Sequence, residues 1–374
     1  MEGTKPRTAN SLGMFDFLKG IGMLTIVFAH SAELYPVGAT TTITPMTFYL
    51  FAYRESLMAA FYIASGYGFR KRSIGKCISQ QFKTLFKPYA YTGLATTIAH
   101  FVIHYKTFGN WNNAVYETYK VLGGFVLGLP HTATYFGQEF FSCGPMWYLL
   151  ALMIGWILLD IILNIFPESY IKWAVLGTML LGWGISLVWE APFCIAQGMV
   201  TVPYLYIGFL AKKKRLFEKK FRPLAILGLL AAALGVALGV LLTGKTDCVS
   251  LGEWTMGPVS ILLDGIVGLG FIVLFMKVQR LLDNPVTHLI EAVGRRSLYI
   301  FCIHTVELTA VPWYLMVQKY AAAPTKGLWL QYAVSLGSIF LLCEILLRRR
   351  DVMLKFFPAR RRHFAEHRRY VAKH

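Results

Sequence analysis

The chain has 374 residues, 56% of them hydrophobic and 15% charged, and its mean hydropathy is +0.52. A soluble chain carries about 25% charged residues, so a soluble globular enzyme is excluded; apolar runs of about 20 residues, rather than alternating runs of about ten, exclude a β-barrel. The net charge of +18 is distributed over short segments between apolar runs, which excludes nucleic acid as the partner and points to the anionic face of a lipid bilayer.

The sequence predicts an all-α, polytopic membrane protein of about ten transmembrane helices. Taken in chain order, the spans cover roughly residues 14–34, 47–69, 88–105, 145–166, 171–190, 193–211, 223–243, 254–276, 297–317 and 327–347. The first carries Asp16, Lys19 and His30 and lacks a small-residue cleavage site, so it reads as a retained signal anchor. Between the third and fourth spans lies a long outward loop, 106–144, rich in aromatics and glycine; its apolar piece Val121–Leu129 is too short to cross and is expected in the interface or re-entrant. An even number of spans puts both termini on one side. Of the 37 Lys and Arg, only Arg54, Lys106, Lys120, Lys245, Lys319 and Lys326 fall on the other side, so the termini are predicted to be cytoplasmic and the protein to reside in the plasma or inner membrane. Residues 1–350 form one membrane domain, and 351–374 continue a basic tail that anchors to the inner leaflet.

Cys77, Cys143, Cys194, Cys248, Cys302 and Cys343 form no CxxC pair, so neither zinc nor thioredoxin-like chemistry is indicated. Cys143, Cys194 and Cys248 fall in outward segments; one pair could be bridged, with free thiols the expectation. His100 and His104 share a helix face without a third ligand, and no metal is predicted. Trp147, Trp183, Trp189 and Trp254 read mostly as interfacial anchors.

Polar side chains are costly inside a membrane, so each one marks a candidate site. Lys19 and His30 are eleven residues apart, almost three helical turns, which places them on one face about 16 Å apart along the axis. Asp16 lies one turn before Lys19, and Glu33 three residues after His30, where it can orient the ring. Lys19 can hold an anionic group and His30 can serve as a general base. The structural alternative makes Lys19 a snorkelling lysine paired with Asp16, and His30 a buried histidine bonded to a neighbouring helix; residue chemistry leaves both open. Asp264 sits mid-span, and His304 and Glu307 share a face. They can bind an acceptor's hydroxyls, tune His30, tie helices together or, in a transporter or flippase, relay protons.

The stretch Phe15-Asp16-Phe17-Leu18-Lys19-Gly20 through Val27-Phe28-Ala29-His30-Ser31 resembles the first helix of the acyltransferase-3 family, whose hallmark is a basic residue, ten intervening residues and a histidine. Ile63-Ala64-Ser65-Gly66-Tyr67 followed by Arg70-Lys71-Arg72, Trp147-Tyr148-Leu149, and Gly294 to His304 with Ser297-Leu298-Tyr299 resemble further family elements in the same order. The resemblance implies a membrane O-acyltransferase that moves acetyl from acetyl-CoA, a co-substrate, to a hydroxyl of a cell-surface carbohydrate. It implies His30 as base or transient acyl carrier, assisted by Lys19, Asp16 and Glu33. Lys19, Arg70, Lys71 and Arg72 would bind the donor's phosphates, although three basic residues after a span also serve as topology markers. Trp147, Tyr148, Asp264, His304 and Glu307 would face the acceptor. Many relatives carry arginine where this chain has Lys19, which forgoes bidentate phosphate binding. No esterase-like domain is read after the last span, so a relay to a second domain is not expected.

Overall fold

The computed structural model describes residues 12–35, 51–219 and 223–356. Lys5, Arg7, the start of the expected second span and the tail beyond 356 lie outside the described residues. Most of what is described is helical, and seven helical stretches are long and apolar enough to cross a membrane: Gly13–Glu33, Gly144–Ile165, Glu168–Val188, Pro192–Lys213, Pro223–Thr243, Pro258–Leu281 and Pro324–Arg349. The other three expected spans correspond to helices that are shorter or more polar.

The first of the crossing stretches contains α1 (Asp16–Glu33), and α2 (Arg54–Tyr67) follows. The basic segment after α2, read from sequence as a connector, is helical. α3 (Ile74–Gln81) runs through one π-turn, Phe82–Phe86, into α4 (Lys87–Phe108), with Pro88 directly after the turn. The expected long loop is also largely ordered. α4 ends on Gly109 at φ 67°, Asn110 caps α5 (Trp111–Leu127) by accepting the Asn113 N–H at 3.0 Å, and α5 folds back along α4. Its 3.6-residue period was hidden by two glycines and by aromatics on its exposed face. After α5 comes a short antiparallel hairpin, β1 (Ala133–Tyr135) and β2 (Gln138–Phe140), turning through Phe136 and Gly137, both at positive φ.

The remaining helices are α6 (Trp147–Ile165), α7 (Glu168–Val188), α8 (Ile195–Lys213), α9 (Pro223–Thr243), α10 (Pro258–Leu281), α11 (Pro285–Arg295), α12 (Ser297–Ala310), α13 (Tyr314–Lys319) and α14 (Pro324–Phe356). The expected ninth span is interrupted: α12 stops before Pro312, which cannot continue the helical bonding, and α13 is a separate short helix. The last helix runs through residue 350 to Phe356.

Two helix crossings position the centre of the bundle. α8 packs against α2, α6 and α7. At its contact with α2, Gly208 lies on the Ile63 carbonyl and Gly66 on the Leu205 carbonyl, so that a Cβ on either glycine would overlap the opposing backbone. The α1–α11 crossing repeats the device, with Gly20 on the Ile290 carbonyl and Gly294 on the Asp16 carbonyl. In lipid, where apolar burial no longer drives association, such close backbone contact supplies the packing energy. α1 is thereby fixed at its Lys19 end, and its other face is left to line two cavities.

Candidate active site

The α1 face that carries Lys19, Met23, Ile26 and His30 borders open space along its whole length. One cavity, of about 380 Å³, is lined by Lys19 and Met23 of α1, Phe61 and Ser65 of α2, Trp156 of α6 and Ser297 of α12, among others. A second, of about 470 Å³, is lined by His30 and Glu33 together with Arg54, Glu55, His131, Trp147 and Ser250. Ile26, Met58, Tyr148 and Phe301 line both. Both volumes suit a small-molecule ligand.

At the His30 cavity the charged groups form a chain. His30 Nδ1 lies 3.1 Å from Glu33 Oε2, and the other carboxylate oxygen accepts from Arg54 Nη1 at 2.5 Å. Arg54 Nε approaches Glu55 Oε1 at 3.3 Å, and its Nη2 donates to the Asp247 carbonyl at 3.5 Å. A carboxylate only accepts, so the Glu33 contact places the imidazole proton on Nδ1 and leaves Nε2 as a lone pair. A second dyad stands beside the first. The His304 ring centroid is 5.6 Å from that of His30, His304 Nδ1 is 3.1 Å from Glu307 Oε2, and Glu307 Oε1 accepts from Ser335 Oγ of α14 at 2.8 Å. His304 is almost wholly buried, and its Nε2 has no partner among the described residues.

The cavity rim is built from three connecting segments held by one histidine. His131 Nδ1 contacts the Ser250 carbonyl at 3.0 Å and its Nε2 contacts Glu190 at 2.8 Å, while the Tyr135 hydroxyl donates to the Glu190 carbonyl. Asp247, in the connection between α9 and α10, accepts the Thr255 N–H at 2.5 Å, and burial raises its carboxyl above the ordinary carboxylate range.

The structure brings some predicted site residues together and leaves others apart. Asp16 pairs with Lys19 at 3.3 Å, and Lys19 remains one-third exposed into its cavity. Trp147, mostly buried, lines the His30 cavity rather than lying free at an interface, whereas Trp189 is exposed. Tyr148 reaches both cavities. Arg70, Lys71 and Arg72 line neither cavity. They follow Gly68, which does line the Lys19 cavity, and the Arg72 N–H and carbonyl are engaged by Asp160 and Asn164. Asp264 also lines neither: fully buried, it accepts from Ser56 Oγ of α2 at 2.5 Å, an interhelical bond. All six cysteines are unbridged. His100 bonds Thr118 of α5 at 2.9 Å and stacks on His104. No group of three or more metal-ligating side chains occurs among the described residues.

Sequence reasoning missed Arg54, Glu55, His131 and Glu190. Arg54 offered one signal, as an arginine beside a glutamate at the end of a span where positive charge is otherwise rare.

The acyltransferase domain model of the acyltransferase-3 family matches residues 13–348. The chain belongs to that family. The match takes in α1 through the apolar part of α14, and so both cavities and both histidine–glutamate dyads; the family makes the protein a membrane acyltransferase, and the seven long apolar helical stretches suit a membrane. No curated protein and no solved structure matches it.

Proposed function

We propose that this acyltransferase moves acetyl from acetyl-CoA to a hydroxyl of a carbohydrate at the cell surface, with the Lys19 cavity facing the cytoplasm and the His30 cavity facing outward. The observation that carries this reading is the Glu33-oriented His30, its Nε2 free at a cavity that backs onto the one holding Lys19. The Lys and Arg near the Lys19 end support that orientation, with Arg295 beside Asp16 and Arg70 beside Lys212, which lies over the Tyr67 ring packed on Phe15.

Lys19 draws the donor's phosphates, with Arg70, Lys71 and Arg72 adding positive potential beyond the cavity mouth. Nε2 of His30 takes the proton of the acceptor hydroxyl as its oxygen attacks the thioester carbonyl. The C–S bond then breaks, and the imidazolium returns the proton to the departing thiolate. In the relay form of the same chemistry, Nε2 itself attacks the thioester carbonyl, the C–S bond breaks and CoA leaves as the thiolate; the acceptor hydroxyl then attacks the acetyl-imidazolium, the N–C bond breaks, and the hydroxyl proton stays on the imidazole until it is released to solvent or the thiolate. Either route needs the Nε2 lone pair. Trp147 and the polar rim of His131, Ser142 and Ser250 give the acceptor cavity an aromatic wall beside hydrogen-bonding groups, a combination suited to sugars. His304, held by Glu307, stands where it can tune or back up His30.

The test is removal of the gene followed by analysis of surface glycans for ester-linked acetyl, with labelled acetyl-CoA turnover by the purified protein. His30→Ala, at normal protein level, should not restore acetylation. Full restoration would remove His30 from the mechanism, and loss of glycan export with acetylation intact would replace the enzyme reading with transport.

A further inference from the structure

The two cavities share four lining residues. Ile26 lies on α1 one turn before His30, Met58 on α2, Tyr148 on α6 and Phe301 on α12, so four different helices converge on one level of the bundle. Tyr148 is framed by rings, with centroids 4.7 Å from Tyr62, 6.1 Å from Phe301 and 6.5 Å from Phe61. Its hydroxyl is engaged by Ser65. The four shared side chains therefore carry no charge and one polar atom, the Tyr148 hydroxyl, which Ser65 engages. Their level lies between Lys19 and His30 on the shared face of α1.

We propose that Ile26, Met58, Tyr148 and Phe301 form a wall that selects the acyl group by width and charge, admitting short neutral acyl thioesters to His30 and rejecting acyl groups that end in a carboxylate. The inference rests on the proposed thioester donor entering by the Lys19 cavity. An acyl group delivered from that side reaches Nε2 only past these four side chains. Each added methylene must displace packed apolar atoms, which a pocket of this kind penalises about tenfold or more. A terminal carboxylate, as in a succinyl group, must shed its water with no cation at that level to replace it.

The experiment compares acetyl-, butyryl- and succinyl-CoA as donors for the full-length protein in lipid nanodiscs, alongside Met58→Ala, Phe301→Ala and the near-isosteric Met58→Leu. The wild type should prefer acetyl over butyryl and use succinyl at least about a hundredfold less well than butyryl, as a desolvated charge requires. Either alanine variant should shift the butyryl-to-acetyl ratio about tenfold toward butyryl, and Met58→Leu should leave it in place. Succinyl used as readily as butyryl, or an unchanged ratio in both folded alanine variants, overturns the wall as selector. A second readout needs no turnover. In a Cys248→Ser background, which removes the free thiol lining the His30 cavity, a membrane-impermeant maleimide added from the His30 side should modify Ala29→Cys but not Met23→Cys, and Met23→Cys should become reactive once Met58 and Phe301 are both alanine. If Met23→Cys reacts equally in both backgrounds, there is no wall. If no thioester is turned over at all while the labelling follows the expected pattern, the wall stands as a barrier and the donor reading fails.

Discussion

Replacing Glu33 by glutamine should silence His30 without moving it, and the structure says why and by how much. Glu33 Oε1 is held by Arg54 at 2.5 Å and Oε2 by His30 at 3.1 Å. A glutamine in this position has one acceptor and one donor end. Arg54 can only donate, so it takes the amide oxygen, and the NH2 group then faces Nδ1 of His30. Nδ1 must become the acceptor, the ring proton moves to Nε2, and the lone pair needed by either form of the chemistry disappears. Turning the amide round would restore the tautomer but forfeit a hydrogen bond to a charged group, worth about 1.5–3 kcal/mol. About one molecule in ten to one in a hundred then holds the productive tautomer, and acetyl transfer should fall about 10- to 100-fold. The assay is turnover of labelled acetyl-CoA by protein matched for expression and thermal stability. Arg54 supplies the internal control. In a background of Arg54→Met with Glu55→Gln, which leaves no unpaired carboxylate at the buried Glu55 position, the amide at residue 33 is free to turn, and Glu33→Gln should cost less than it does beside Arg54. Activity of Glu33→Gln within twofold of wild type, or an undiminished loss in the compensated background, would refute the tautomer argument.

Other perturbations test separate parts of the structure. Lys19→Met should raise the KM for acetyl-CoA about tenfold with little change in kcat, by loss of a charge-assisted phosphate contact, and Lys19→Arg should leave KM unchanged or lower it; steady-state kinetics decide. Gly294→Ala should destabilise the protein by about 1–3 kcal/mol, because the added Cβ overlaps the Asp16 carbonyl and pushes α1 off α11; thermal unfolding in detergent reads this directly. Asp247→Asn keeps an acceptor for the Thr255 N–H while removing a carboxyl whose ionisation burial disfavours. With the folded-state pKa raised, the native protein binds the proton more tightly than the unfolded chain, so wild-type stability falls as pH rises through that range. Asp247→Asn should therefore unfold at a higher temperature than wild type at pH 8, with the difference shrinking toward pH 4. A constant difference across that range would separate the effect from ionisation.

The one-dimensional part of the site was legible and the three-dimensional part was not. Asp16, Lys19, His30 and Glu33 lie on one helix, so a period of 3.6 places them on one face before any tertiary structure is considered. The contacts between Lys19 and Asp16 and between His30 and Glu33 are the i, i+3 pairs that spacing allows. The same logic covered His304 with Glu307. It could not show that the two dyads stand side by side, because helix spacing does not encode which helices touch. Arg54 was invisible for the same reason: it reaches Glu33 across 21 residues and the Asp247 carbonyl across 193. His131 joins segments 59 and 119 residues away. Asp264 shows the same limit. A buried acid in mid-span can be a site or a tie between helices, and only the tertiary structure shows Ser56 bonding one of its oxygens across a helix contact.

The three expected spans that fall short of the length and hydropathy of a membrane-crossing helix make the same point from the side of function. Two of them supply cavity walls. α2 gives Arg54, Glu55, Met58, Phe61 and Ser65, and α12 gives Ser297 and Phe301 and carries His304 and Glu307. A helix that must hold charged groups on its inner face cannot also be uniformly apolar, so α2 and α12 lose membrane signal where they build the site. The helices with the purest signal bear this out. α9, apolar nearly all round, is among the least buried of the seven, supports the bundle from the lipid side and contributes to neither cavity. Hydropathy does not rank the helices strictly by their part in the chemistry: α6, at a mean hydropathy of 2.2, lines both cavities while α7 and α8, at 1.5, line neither, and α1, lowest of the seven at 1.2, touches both with two acids and one lysine besides its histidine. One helix can do so because its polar residues are spaced at whole turns, which confines them to a single stripe and leaves the rest of its surface apolar for packing.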